Sequence, residues 1–230
     1  QETHCTGGNI EMGDESFVVV FSADHTPGTI VPKRWNAACG PQNIGFVNVS
    51  LDVMKNPQYF NYDGIYEGEN QRPWLIQDRN PNVKTYEQTM FTCVMPARKY
   101  MAPNPAVFLT DHTDVTVSSA LHPRVRRIGD DYMIIWMESK YTNSKVNYAK
   151  SGSRQGMKAV ITDEFGNIRK PAQWIQDPNF PQKPLFDVGN LPFVQNDRMI
   201  WAVAGDEEFE GKMIIHSLGL DLNLKSSLME

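Results

Sequence analysis

Hydrophobic and polar residues alternate along much of the chain in short blocks, and the same order of blocks recurs. A polar turn is followed by an apolar strand, a variable loop, a second alternating strand and another turn. Apolar residues at every second position are typical of half-buried β-strands, and a recurring unit is typical of folds in which several units share one core. The three clear copies are Gly13–Ser22 with Gly45–Asp52, Gly129–Glu138 with Lys158–Ile168, and Asn196–Val203 with Gly211–Asp221.

A fourth, more degenerate unit is predicted between the first two copies. The interval from Asp14 to Asp130 leaves room for one more unit near residue 72, where Arg72–Gln77 and Met90–Met95 are rich in aromatic and branched residues. Radial packing of such units forms a β-propeller. We therefore predict an all-β fold over residues 1–230, a single domain that is propeller-like or an irregular multi-sheet fold with long loops. A β-sandwich without true repeats is the alternative.

Composition and charge narrow the class of protein. The 15 Pro and 16 Gly among 230 residues exclude a coiled coil or a long-helix bundle, and no apolar run is long enough for a membrane-spanning helix. A net charge of -5 offers no basic face to a phosphate backbone, so nucleic acid is not an expected partner. The local basic group of Arg124, Arg126 and Arg127 alternates as on the solvated face of a strand.

The N-terminus and the cysteines favour an oxidising compartment. The chain starts at Gln1 without a leader, as does a mature secreted protein or a piece of a longer one. Cys5, Cys39 and Cys93 are too far apart for a zinc ribbon or a Cys-x-x-Cys motif, which leaves one disulfide and one thiol. We favour Cys5–Cys39, which ties the N-terminal segment to the first unit, but both other pairings stay open. The single glycosylation sequon begins at Asn48.

Signatures of common enzyme classes are absent from the sequence. It contains no Gly-x-x-x-x-Gly-Lys, Gly-x-Gly-x-x-Gly, His-Glu-x-x-His or Gly-x-Ser-x-Gly motif. A glycosidase needs two carboxylates that face each other across a cleft. Acidic candidates without any distinguishing spacing are Asp63, Glu67, Asp111, Asp114 and Glu138. We therefore expect binding and not turnover.

A duplicated tripeptide supplies the best candidate ligands for a metal ion. Asp-His-Thr occurs at residues 24–26, after a predicted strand, and again at residues 111–113, before the copy that begins at Gly129. Imidazoles that converge from strand ends can bind copper or zinc, and a carboxylate usually holds the second ring nitrogen. The predicted ligands are His25, His112 and His122, with Asp24, Asp111 and Asp114 as orienting groups. The alternative is that these are polar surface turns.

One segment carries a family resemblance. Leu109–Asp114 leading to Ala120–Val125, in an acidic, His-poor and β-rich chain, resembles the surface copper-binding proteins of methane-oxidising bacteria. The resemblance implies a protein that holds one copper ion through two histidines and a kynurenine made from tryptophan, and that serves copper acquisition. In such proteins the tryptophan lies two residues before a histidine, and no Trp-x-His occurs here.

Two functions follow from these observations. The first is an extracellular, cell-surface or periplasmic binding protein that holds one copper or zinc ion. The second is a structural or adhesive propeller-like module without metal, whose loops contact a protein or glycan partner. The longest candidate contact loops are Tyr141–Gln155 and Gln176–Pro184.

Overall fold

The computed structural model describes residues 5–24, 41–51, 107–114, 116–141, 153–186, 191–205 and 209–229. The described residues form strands joined by turns and loops. The strands are β1 (Cys5–Met12), β2 (Ser16–Asp24), β3 (Gln42–Ser50), β4 (Val107–Phe108), β5 (Ser119–Ile128), β6 (Asp131–Lys140), β7 (Ser153–Thr162), β8 (Ile168–Ile175), β9 (Phe193–Gln195), β10 (Arg198–Ala204), β11 (Met213–Gly219) and β12 (Leu224–Met229). No helix long and apolar enough to cross a membrane occurs within these ranges.

The strands form three antiparallel sheets with the same topology. Sheet A is β1-β2-β3-β4, sheet B is β5-β6-β7-β8 and sheet C is β9-β10-β11-β12, each with neighbouring strands in chain order. A four-stranded meander of this kind is the topology of a propeller blade. The prediction of an all-β, propeller-like fold is confirmed. The fourth predicted unit, at residues 72–77 and 90–95, lies outside the described residues.

Short turns with left-handed backbone join several of the strand pairs. Gly129, at φ +62, lies in the two-residue loop between Ile128 and Asp131, which are paired across β5 and β6. Asn196 and Asp197 both have positive φ and join β9 to β10. Such two-residue turns match the twist of the strands they connect. The Gly-Asp and Asn-Asp turns that the sequence pattern placed at the start of each unit are therefore present.

Strand β6 of sheet B is buried on both faces. In β6, Ile134 and Trp136 belong to a hydrophobic cluster with buried residues of sheet A. Met133, Ile135 and Met137 belong to a second hydrophobic cluster, with buried residues of sheet C. Burial on both sides accounts for the nearly continuous apolar run of this strand, because neither face has to be polar. Sheet B thus lies between sheets A and C.

Arg126 of β5 joins the first strands of the three sheets. Its Nη1 donates to Asn9 Oδ1 at 3.1 Å and to Glu11 Oε2 at 3.0 Å in β1. Its Nε donates to the carbonyl of Pro192, which directly precedes β9. The expectation of a solvated basic face was wrong here and at Arg124, which is 4% exposed. These cations face neighbouring elements because β5 lies between two other sheets.

Asn48, the sequon residue, lies inside the fold. Its side chain is buried, and its Nδ2 donates to Ser16 Oγ at 3.0 Å and to the carbonyl of Glu164 at 2.7 Å. The second bond reaches the turn between β7 and β8, so the side chain ties sheet A to sheet B. A glycan on this nitrogen leaves a single N–H, so the two hydrogen bonds cannot form together.

Candidate functional site

Several strand ends meet at one edge of sheets A and B. The backbone of Asp24, at the end of β2, is paired with Gln42 at the start of β3. The N–H of Gln42 donates to Ser119 Oγ at 3.0 Å, and Ser119 is paired with Ser139 near the end of β6. We call this region, defined by Asp24, Gln42, Ser119 and Ser139, the site edge. It gathers segments that are distant in the sequence.

Asn43 attaches the backbone of His112 to the site edge. The His112 N–H donates to Asn43 Oδ1 at 2.6 Å, and Asn43 Nδ2 donates to the His112 carbonyl at 3.0 Å. Thr110 Oγ1 donates to Asn43 Oδ1 at 2.9 Å and accepts from the N–H of Ile44 at 2.9 Å. Asn43 is fully buried, so these bonds are shielded from water. The position of His112 is therefore fixed by a residue 69 positions earlier in the chain.

Glu138 near the end of β6 accepts hydrogen bonds from several groups. Its carboxylate is fully buried and lies 3.2 Å from His112 Nε2, 2.9 Å from Trp136 Nε1 and 3.3 Å from Lys158 Nζ. Ser118 Oγ also donates to it. Burial alone raises the pKa of this carboxyl, but the bonds from His112, Ser118 and Trp136 outweigh burial and lower the pKa to about 2. Glu138 is thus an ionised buried acceptor at neutral pH.

Strand irregularities flank this carboxylate on both sides. The register of β5 with β6 shifts between Leu121 and Arg124, and the register of β6 with β7 shifts between Glu138 and Ser139. Bulges of this kind re-aim side chains and are frequent beside active sites. His122 lies in the first irregularity with φ +54. Sheet B therefore departs from regular pairing at His122 and directly after Glu138.

His122 has an incompletely satisfied ring. Its Nδ1 is buried and has no hydrogen-bond partner. Burial lowers the pKa of His122, and the nearby charges of Arg124 and Arg154 lower it further. The imidazole is therefore held neutral, the form in which histidine binds metal ions. The two guanidinium groups act in the opposite direction, because they repel a cation.

The structure locates the predicted site residues unequally. His112 and His122 are described, His25 lies outside the described residues, and only the backbone of Asp24 is described. Among the described residues, no group of three or more His, Cys, Asp or Glu is arranged to hold a metal ion. The preferred Cys5–Cys39 pairing also lies outside the described part, since Cys39 is not in it.

The carboxylate that contacts His112 is not one of the predicted orienting groups. Asp111 is exposed. Asp114 Oδ1 accepts from the N–H and Oγ1 of Thr116, and these bonds lower the pKa of Asp114. Glu138 takes the contact with the imidazole instead. The signal for it was present in the sequence, because a glutamate that continues the run Ile134-Ile135-Trp136-Met137 is a charge in a buried strand.

Lys158 connects the buried carboxylate to an exposed indole. Its Nζ lies 4.8 Å from the centre of the Trp174 ring, at a distance typical of a cation–π contact, and 3.3 Å from Glu138. The Trp174 side chain on β8 is 53% exposed. A Cβ placed on Gly156 would lie in van der Waals contact with the same indole, at 3.4 Å, so the ring lies against β7 at this residue. Trp174 is therefore an anchored but solvent-facing aromatic ring.

His216 is a buried histidine outside the site edge. Its Nδ1 is bonded to Ser226 Oγ at 2.9 Å, and its ring centre lies 5.1 Å from that of Trp201. Nε2 is buried without a partner. Burial lowers the pKa of His216 to about 4, although the charge of Asp177 opposes the shift. This histidine is neutral and belongs to the packing of sheet C.

Comparison with known proteins does not assign a family. Neither a protein-family model nor a curated protein sequence matches the chain. Among solved structures, BmSUC1, a GH32 β-fructofuranosidase from Bombyx mori, shares 10% identity at a TM-score of 0.44, covering 100% of this chain. The chain spans 37% of the length of that protein. A GH43_1 enzyme from Xanthomonas citri, solved with xylotriose, shares 6% identity at a TM-score of 0.27, covering 97% of this chain and 73% of its own. Likenesses this weak carry no conclusion about function.

Proposed function

We propose that the chain is a secreted or surface-associated binding protein that holds one copper or zinc ion at the site edge, in the service of metal acquisition. His25 and His112 are the principal ligands in this proposal, and His122 is the third. Neutral imidazoles are the commonest ligands for these ions in proteins.

The attachment of Asp24 and His112 to neighbouring residues of β3 supports the proposal. β2 ends at Asp24, the residue before His25, and Asp24 is paired with Gln42. The next residue, Asn43, binds the backbone of His112 from both sides. Asp24, the residue before His25, and His112 are therefore attached to neighbouring positions of β3. Because the described residues do not complete a ligand set, the proposal depends on His25.

Metal content of purified variants tests this proposal. We expect about one copper or zinc ion per wild-type chain after exposure to the metal and removal of excess, and loss of the ion in His112→Ala and in His25→Ala, since a three-histidine set loses a ligand in each. His4→Ala is the matched control, because it removes a histidine that the proposal does not use. Elemental analysis with intact mass gives the stoichiometry and shows whether a tryptophan is oxidised. Full occupancy in His112→Ala contradicts the proposal.

Trp174 favours the alternative of an adhesive module without metal. Its indole is anchored by Lys158 and Gly156 but faces solvent, and anchored exposed aromatic rings are common contact residues. If the purified chain binds no metal, Trp174→Ala is the variant to compare with wild type on immobilised glycans. Phe165→Ala is a suitable control, since Phe165 is also an exposed aromatic residue, at 55%. Binding that Phe165→Ala loses as fully as Trp174→Ala contradicts the specific role of Trp174.

A further inference from the structure

Three of the four polar atoms of His112 have partners within the fold. The backbone N–H and carbonyl are bonded to Asn43, and the ring atom Nε2 lies 3.2 Å from Glu138 Oε1. Among the described residues, none forms a hydrogen bond with Nδ1. Within the described part of the chain, Nδ1 is therefore the polar atom of His112 without a protein partner.

The partners of Glu138 decide which ring nitrogen carries the proton. Oε1 also accepts from Trp136 Nε1 and lies 3.3 Å from Lys158 Nζ, while Oε2 accepts from Ser118. Because Oε1 already faces these two donors, it acts as an acceptor toward His112, and the hydrogen of that contact comes from Nε2. A protonated carboxyl group that donated to Nε2 would have to do so from an oxygen that already faces two other donors. The neutral imidazole accordingly carries its proton on Nε2.

We propose that Glu138 is the positioning residue of the metal site, which holds His112 with its proton on Nε2 and presents Nδ1 to the copper or zinc ion. The inference rests on the proposed function for the identity of the ligand. A histidine that binds a metal ion through one nitrogen commonly donates the other N–H to a carboxylate, which fixes the ring and raises its basicity. Glu138 does not touch the ion in this arrangement.

Two independent anchors pre-organise the donor atom. Asn43 holds the main chain of His112, and Glu138 holds its ring, and both anchors are fully buried. Moving Nδ1 by rotation of the ring or by shift of the backbone breaks at least one shielded hydrogen bond. Sites with this kind of support lose little freedom when the ligand binds.

The state of the ring can be measured without any metal. In ¹⁵N-labelled, metal-free protein at about pH 8.5, where an ordinary imidazole is neutral, the ring nitrogens of the two tautomers have distinct NMR signatures. We expect His112 to carry its proton on Nε2, with slow exchange of that proton with water. A proton on Nδ1 overturns the inference, and this result requires no variant to fold.

Two acid-to-amide variants distinguish the role of Glu138 from that of Asp114, the carboxylate that lies close to His112 in the sequence. We expect Glu138→Gln to weaken the affinity for Cu²⁺ and Zn²⁺ by about 10–100-fold, the range found for residues that orient metal-binding histidines. Asp114→Asn is the matched variant, and it should leave the affinity close to that of wild type because Asp114 is bonded to Thr116. Folded Glu138→Gln protein with unchanged affinity, or a larger loss in Asp114→Asn, overturns the positioning role.

Failure of the proposed function gives a different pattern. If the wild-type ring carries its proton on Nε2 but the protein binds neither Cu²⁺ nor Zn²⁺, the metal site is refuted and the orientation of His112 by Glu138 stands. If the protein binds metal and the ring carries its proton on Nδ1, the metal site stands and the role of Glu138 is refuted.

Discussion

Burial affects His112 and His216 in different ways. The ring of His112 faces an ionised carboxylate, whereas the ring of His216 packs against Trp201 and has one nitrogen without a partner. Protonation of His216 creates a charge in the core, and Asp177 offsets only part of that cost. We therefore expect protonation of His216 to lower the stability of the fold in acid.

The stability of the fold should decrease as the pH falls from about 6.5 toward 4. The pKa of His216 is about 4 in the folded chain and 6.5 in the ordinary state, so the unfolded chain binds the proton first as the pH falls. The contribution of neutral His216 to the free energy of unfolding is fully present above about pH 6.5 and amounts to at most about 3 kcal/mol. Urea unfolding at several pH values measures this change in the free energy of unfolding.

His216→Gln serves as the comparison for that measurement. The variant should lose the share of the pH dependence between 6.5 and 4 that comes from His216, while the share from His122, whose pKa burial also lowers, remains. The contribution of Glu138 is lost in a lower window, as the pH falls from 4.5 toward 2, because the pKa of that carboxyl is lowered to about 2. Identical pH dependence of the two proteins above pH 4 would exclude His216 as the cause.

The sequence offered His112 as a candidate ligand but gave little sign of the residues that surround it. His112 was recognisable because its tripeptide is repeated and polar. Its partners could not be recognised, because Asn43 is 69 residues away and Glu138 is 26 residues away. The pairing of β3 with β4, which places Phe108 opposite Gly45, and the pairing of β5 with β6 bring these three residues together. A buried acid in an apolar strand was the one local sign of this network.

At the level of elements, the turns were predictable because their chemistry is local. Gly-Asp and Asn-Asp adopt left-handed backbone at low cost, and alternating residues on either side then form paired strands. The extents of the strands were less predictable. The pattern started the strand at Lys158, whereas β7 starts at Ser153 and ends at Thr162 before the turn at Gly166. Pairing with β6 extends β7 beyond its apolar residues.

Substitutions in two turns should change stability in opposite directions. Gly129 has φ +62 and no atoms near the position of a Cβ, so Gly129→Ala isolates the cost of left-handed backbone, about 1–2 kcal/mol. Asp197 has φ +57 without being glycine, so Asp197→Gly should stabilise the hairpin of β9 and β10 by up to about 1 kcal/mol. Thermal unfolding measures the change in stability of both variants. Changes of the same sign would contradict the explanation from left-handed backbone.

On the scale of the whole molecule, Arg126 should contribute more to stability than its exposed neighbour. Arg126→Met removes bonds to both β1 and the residue before β9, and we expect a loss of about 2–3 kcal/mol because Glu11 loses its cation. Arg127→Met is the matched control, since Arg127 pairs with the exposed Asp14. Chemical denaturation should show a clear loss for the first variant and almost none for the second. Equal losses would mean that the junction of the three sheets does not depend on Arg126.

The buried position of Asn48 connects folding to the secretory machinery of a production host. Glycosylation of an Asn-x-Ser/Thr sequon attaches a bulky sugar at the protein surface, whereas in the folded chain this asparagine lies in β3 with its amide nitrogen bonded to Ser16 and Glu164. In a host that glycosylates proteins, attachment at Asn48 therefore competes with the closure of sheet A on sheet B. The fraction of chains that carry a sugar at this position records how many were modified before they folded.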